Sequence, residues 1–71
     1  MGQYKKAEND YTEAIVLNPE GAKAYYNRGL LYKETDQNEK AIADFERFLE
    51  IAHDPNWCRE AEGCLRELRG E

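Results

Sequence analysis

Seventy-one residues with 35% charged side chains and a net charge of -5 allow one domain built on a modest core. Acid exceeds base in the stretches 1–21, 22–53 and 54–71 alike, so no basic stripe exists for a nucleic-acid backbone or an anionic membrane surface. No apolar run approaches the roughly 18 residues of a membrane span and no charged-then-apolar leader is present, so a soluble, cytoplasmic protein is expected.

Three clusters of turn-forming residues divide the chain: Asn18-Pro19-Glu20-Gly21, Thr35-Asp36-Gln37-Asn38 and His53-Asp54-Pro55-Asn56. Between them apolar residues return every three or four positions, the period of a helix and not of a strand. The first segment, 1–18, carries Tyr4, Ala7, Tyr11, Ala14 and Ile15, and Pro19 ends it. The second carries Tyr25, Gly29 and Tyr32, with Tyr26 and Leu30 on an adjoining strip. The third carries Ala41, Ile42, Phe45, Phe48, Leu49 and Ala52. A short turn joins these two, which predicts an antiparallel hairpin over 22–53. The fourth segment, 55–69, carries Trp57, Ala61, Cys64, Leu65 and Leu68. Asp54 suits its N-cap and Pro55 its first helical position, where a missing N–H is harmless. Helices this short are unstable alone and must bury their stripes on neighbours. An all-α fold of four helices in antiparallel hairpins is expected.

Gly29 interrupts the second helix at a penalty of about 1 kcal/mol relative to alanine. Tyr25 and Tyr32 keep helical spacing around it, so close approach of the third helix near Ala41 is the expected reason. Cys58 and Cys64 stand six residues apart, a rise of about 9 Å and a turn of about 240° on a helix. That geometry excludes a bridge between them, and two reduced thiols are expected.

The first and third segments repeat each other. Tyr4, Ala7, Tyr11 and Ala14 each precede Asn38, Ala41, Phe45 and Phe48 by the same interval, 34 residues. Small residues admit a neighbouring helix and rings fill the gaps between; Phe48 is expected to occupy a roomier end of the stack. Together with Tyr25, Arg28-Gly29 and Tyr32, this pattern resembles the tetratricopeptide repeat. The resemblance covers one complete repeat over 22–53, the second helix of an incomplete repeat over 1–18, and a terminal helix over 55–69. It implies a single domain of hairpins stacked as a short superhelix. Arg28 departs from the leucine usual at its place, Phe48 from an alanine, and Pro55 arrives two residues late.

What the resemblance implies for function is a scaffold that binds a peptide or partner protein. First helices line the concave side of such a stack, which nominates Lys23, Tyr26, Asn27, Leu30, Lys33 and Glu34. A tyrosine offers area and a hydroxyl, a leucine an apolar patch, and an asparagine both donor and acceptor. Some members of the family clamp a partner's terminal carboxylate, but here only Asn27 stands at a clamp position, and Asn56 and Trp57 occupy the place of basic residues. An alternative role is structural. The apolar side of residues 1–17 lacks a covering helix, so a homo-oligomer through that face, or a fragment of a longer repeat protein, is expected. The chain has no serine, no Gly-rich phosphate loop, no calcium-loop spacing and one histidine without ligand-spaced partners. No enzyme activity, metal or cofactor is therefore expected. Asp44 and its neighbours Glu39, Glu46 and Glu50 are expected on the solvated face of the third helix, with Lys40 pairing Asp44.

Overall fold

A computed structural model describes residues 2–70. Its four helices are α1 (Gly2–Leu17), α2 (Ala22–Glu34), α3 (Asn38–Ile51) and α4 (Pro55–Arg69), within a residue or two of the segments anticipated from periodicity. Each packs on the next in chain order, and the α2–α3 hairpin is the most extensive pairing.

Local chemistry sets the helix ends. At the α2–α3 turn, the Thr35 hydroxyl donates to the Leu31 carbonyl at 3.0 Å, which caps α2. Asp36 then takes the left-handed conformation (φ 60°) that reverses the chain, a geometry asparagine and aspartate tolerate better than most residues. Asp54 caps α4 as expected: its Oδ1 accepts the Asn56 N–H at 2.9 Å, with Pro55 in the first turn. Gly70 closes α4 at φ 77°, where a side chain would be strained.

The core lies between α2 and α3 and extends under α4. Tyr25, Tyr26, Tyr32, Ala41, Phe45, Phe48, Ala61 and Leu65 form it, and Phe45 is its largest fully enclosed side chain. Phe48, expected at a roomier end of the stack, finds no spare room there. It is buried, with its ring centroid 5.2 Å from that of Tyr26, because α4 closes this end of the hairpin. Gly29 does mark a close approach, but the neighbour is the Phe45 ring. A Cβ at position 29 would meet three ring carbons at 3.0–3.2 Å.

Gly63 provides the contrast. It too sits inside a helix, yet nothing lies within 4 Å of a Cβ built there. Gly63→Ala should therefore stabilise the domain by about 1 kcal/mol through helix propensity alone. Gly29→Ala has the same propensity gain set against overpacking of about 1–3 kcal/mol, because the enclosed Phe45 ring has nowhere to retreat. A net loss is expected, and urea denaturation of the two variants should move in opposite directions.

Candidate protein-binding groove

The N-terminal half of α2, the C-terminal end of α3, the turn after it and the first residues of α4 enclose a groove of about 350 Å³. Lys23 and Asn27 line it from α2, Phe48 and Ile51 from α3, and Ala52, His53, Asp54 and Trp57 from the turn and α4. The floor is aromatic. Tyr26 meets Trp57 edge to face at 5.0 Å between centroids and Phe45 at 5.7 Å, arrangements that suit the positive ring edge and negative ring face. Trp57 remains 47% exposed, so one side of its ring is open to a visitor.

Of the six residues nominated from sequence, Lys23, Tyr26 and Asn27 line this groove. Leu30 packs against the core instead. Lys33 pairs with Glu67 of α4, and this hydrogen bond raises the lysine pKa above its ordinary value. Glu34 is exposed near the far end of α2. The structure corrects one point of that surface. Tyr26 is only 8% exposed and belongs to the core, because Trp57 of α4 lies across it. Burial accordingly pushes its phenol pKa upward. It shapes the groove floor and does not stand out from the helix as a separate contact.

Residues of α3 and α4 were missed as lining because sequence assigned them to stripes, and stripes do not say where two helices diverge. Trp57 carried a signal in hindsight: a large ring at the first turn of a helix, beside Asn56, is a position with little helix beneath it.

A second feature ties the helices together. Arg28 donates Nε–H to Asp44 Oδ2 and Nη2–H to Asp44 Oδ1, both at 2.8 Å, and Nη1–H to the Thr12 hydroxyl at 3.2 Å. The guanidinium also lies 5.7 Å from the Tyr32 ring centroid and 6.0 Å from that of Tyr25. Its hydrogen bonds to Asp44 raise the Arg28 pKa, so the guanidinium stays charged. Asp44 is thus not on the solvated face, and its partner is not Lys40. It is 5% exposed, turned toward α2 by a bidentate partner that the local sequence does not reveal. Its expected neighbours do stay outside: Glu46 pairs with Arg69 and Glu50 with Arg47. On the α1 side, the Tyr32 hydroxyl donates to Glu8 at 3.0 Å. Cys58 and Cys64 are free and half-buried, and burial raises the Cys64 thiol pKa. No cluster of His, Cys, Asp or Glu able to hold a metal occurs among the described residues. No helix there is long and apolar enough to cross a membrane.

Helices packed in sequence as antiparallel hairpins, with repeat positions 34 residues apart, fit one family, and its profiles match directly. The TPR repeat profile matches residues 1–36 and the tetratricopeptide repeat profile residues 22–55. The chain belongs to the tetratricopeptide repeat family. A TPR repeat is a protein-interaction module and not in itself a catalytic one, which sets the function class of this TPR domain. The domain is 37% identical over 57 residues to Hsp70-Hsp90 organizing protein 1 of Glycine max, covering 80% of this chain and 10% of that protein. It is 40% identical over 50 residues to the Tetratricopeptide repeat and J domain-containing co-chaperone DNJ1 of Cryptococcus neoformans var. grubii, covering 70% of this chain and 10% of that one. It is 42% identical over 50 residues to the UDP-N-acetylglucosamine--peptide N-acetylglucosaminyltransferase of Giardia intestinalis, covering 70% of this chain and 3% of the enzyme. The TPR domain therefore spans a tenth or less of each relative's length. No solved structure matches it.

Proposed function

We propose that this TPR domain binds an extended peptide segment of a partner protein along the α2 side of the stack, centred on the groove between α2 and α4. The observation that carries the proposal is the groove's composition: an aromatic and aliphatic floor flanked by Lys23 and Asn27, with one face of Trp57 open. An apolar or aromatic side chain of the partner fills the floor. The Asn27 amide pairs with the partner's backbone and Lys23 with an acidic group beside it. Leu30, Lys33 and Glu34 continue the same side of α2 toward its C-terminus. Two of the relatives are co-chaperones or chaperone organisers by name, so peptides from Hsp70- and Hsp90-class chaperones are the first partners to try.

The chain has a single tryptophan, and it stands in the groove. Its fluorescence therefore reports occupancy when tryptophan-free chaperone peptides are titrated into the domain. A saturable change is expected, weakened about tenfold or more in Lys23→Glu combined with Asn27→Ala. Both residues are outside the core cluster, so the fold survives the change. Unchanged affinity in that double variant would show that the partner binds elsewhere. Tyr26→Ala is unsuitable as a binding test because it removes a core ring; Tyr26→Phe keeps the ring and tests the hydroxyl alone.

A further inference from the structure

The rim of the groove differs in charge from the rest of the molecule. The chain has 15 acidic residues against 10 lysines and arginines, yet among the described residues Asp54 is the one acid that lines the groove. Its Oδ1 accepts the Asn56 N–H at 2.9 Å, so this carboxylate is already engaged in capping α4. Lys23 and His53 are the basic residues of the rim, and both are exposed. Four other cations are paired within the domain: Arg28 with Asp44, Lys33 with Glu67, Arg47 with Glu50 and Arg69 with Glu46. Lys23 and His53 enter none of these pairs. His53 also stands on a fixed turn. Before it, the Ala52 N–H donates to the Phe48 carbonyl at 2.8 Å; after it, the Cys58 N–H donates to the Asp54 carbonyl at 3.0 Å. A turn tied down at both ends holds its side chain at the rim without further ordering on binding.

We infer that His53 is a specificity-determining contact of this groove, which together with Lys23 selects partner segments carrying side-chain carboxylates on either side of the apolar anchor. The inference rests on the binding site proposed above and adds to it a residue and a pH dependence. Histidine is the side chain whose charge ordinarily changes between about pH 5 and pH 8, and His53 is the only one in the chain. The imidazolium has two N–H donors and a charge to offer a carboxylate, where the neutral ring has one donor and no charge. The charged groups on the elements beside it are Lys23 on α2, Asp54 in the same turn and Glu50 in the last turn of α3, which Arg47 holds. Its α4 neighbours in the groove wall, Asn56 and Trp57, carry no charge. A carboxylate delivered by the partner adds a negative charge to this set. Peptide binding and proton uptake therefore favour each other, and affinity rises as pH falls.

The test uses the 71-residue chain and two tryptophan-free synthetic peptides, acetylated and amidated at their ends, so that no terminal carboxylate takes part. One has glycine and serine flanking the core Glu-Leu-Glu; the other has Gln-Leu-Gln in its place. Affinity is read from the saturation of Trp57 fluorescence at about pH 8 and about pH 6, a range in which the peptide glutamates stay ionised. The glutamate peptide should bind about threefold tighter at the lower pH, the size of a solvent-exposed ion pair. His53→Gln should abolish that gain, and His53→Lys should give the tighter binding at both pH values. Neither substitution touches the core cluster, so the fold is retained. The glutamine peptide should show no gain. Equal affinity of the glutamate peptide at the two pH values, a gain that survives His53→Gln, or a gain shared by the glutamine peptide would overturn the inference while leaving the groove as the binding site. No response to either peptide at millimolar concentration would count against the groove itself, and the inference would go with it.

Discussion

Asp44→Ala should destabilise the domain by about 3 kcal/mol, measured as a shift in the urea midpoint at neutral pH. The reason lies in what remains behind. Arg28, with its side chain 18% exposed and tied to Thr12 and two tyrosine rings, cannot swing fully into water when its carboxylate partner is removed. Breaking a buried pair by deleting one member costs about 3–5 kcal/mol. The lower end applies because the guanidinium keeps some solvent. Against a total stability on the order of 4–10 kcal/mol for a chain of this size, that is a large fraction. Replacing both members, Arg28→Leu with Asp44→Ala, leaves no orphaned charge and restores the apolar residue usual for the family at position 28. The double variant should lose less than Asp44→Ala alone. A loss equal to the sum of the two single losses would show that Arg28 and Asp44 contribute independently and are not a coupled pair.

Phe45→Ala should be more damaging still, at about 4 kcal/mol, enough to leave the chain partly unfolded at room temperature by far-UV circular dichroism. The ring is fully enclosed, fills the space that Gly29 leaves on α2, and meets Tyr26 edge to face. Its removal loses apolar transfer and opens a cavity between α2 and α3. Phe45→Leu, which keeps volume near the helix, should cost about half as much. In that background Gly29→Ala should turn from destabilising to neutral or better, because the aromatic carbons that crowd its Cβ are gone. Additive behaviour of the two substitutions would mean that Gly29 is required for some reason other than the ring.

These two positions show why sequence reaches the fold more readily than the site. The number of helices, their limits and their hairpin order follow from local chemistry. Apolar spacing, Pro19, Asp54-Pro55 and the turn around Asp36 act over a few residues, and each signal is present in the chain itself. The repeat interval adds the stacking order, because two segments with the same small and large residues pack in the same way. Gly29 could be assigned to a close approach from its helical flanks alone.

Side-chain partners are another matter. Asp44 looked solvated because its own helix offers Lys40 one turn away, while the residue that captures it stands 16 positions earlier on a different helix. Tyr26 looked available because it adjoins the main stripe of α2, and only the path of α4 places Trp57 over it. Phe48 looked oversized until the same helix closed around it. Sequence by itself determined a four-helix TPR domain of the protein-interaction class and placed Lys23 and Asn27 on the side of α2 that lines the groove. Tertiary structure alone decided which charges are buried and which ring forms the groove floor. Periodicity fixes the direction a side chain takes from its own axis, whereas burial depends on the second helix that arrives there.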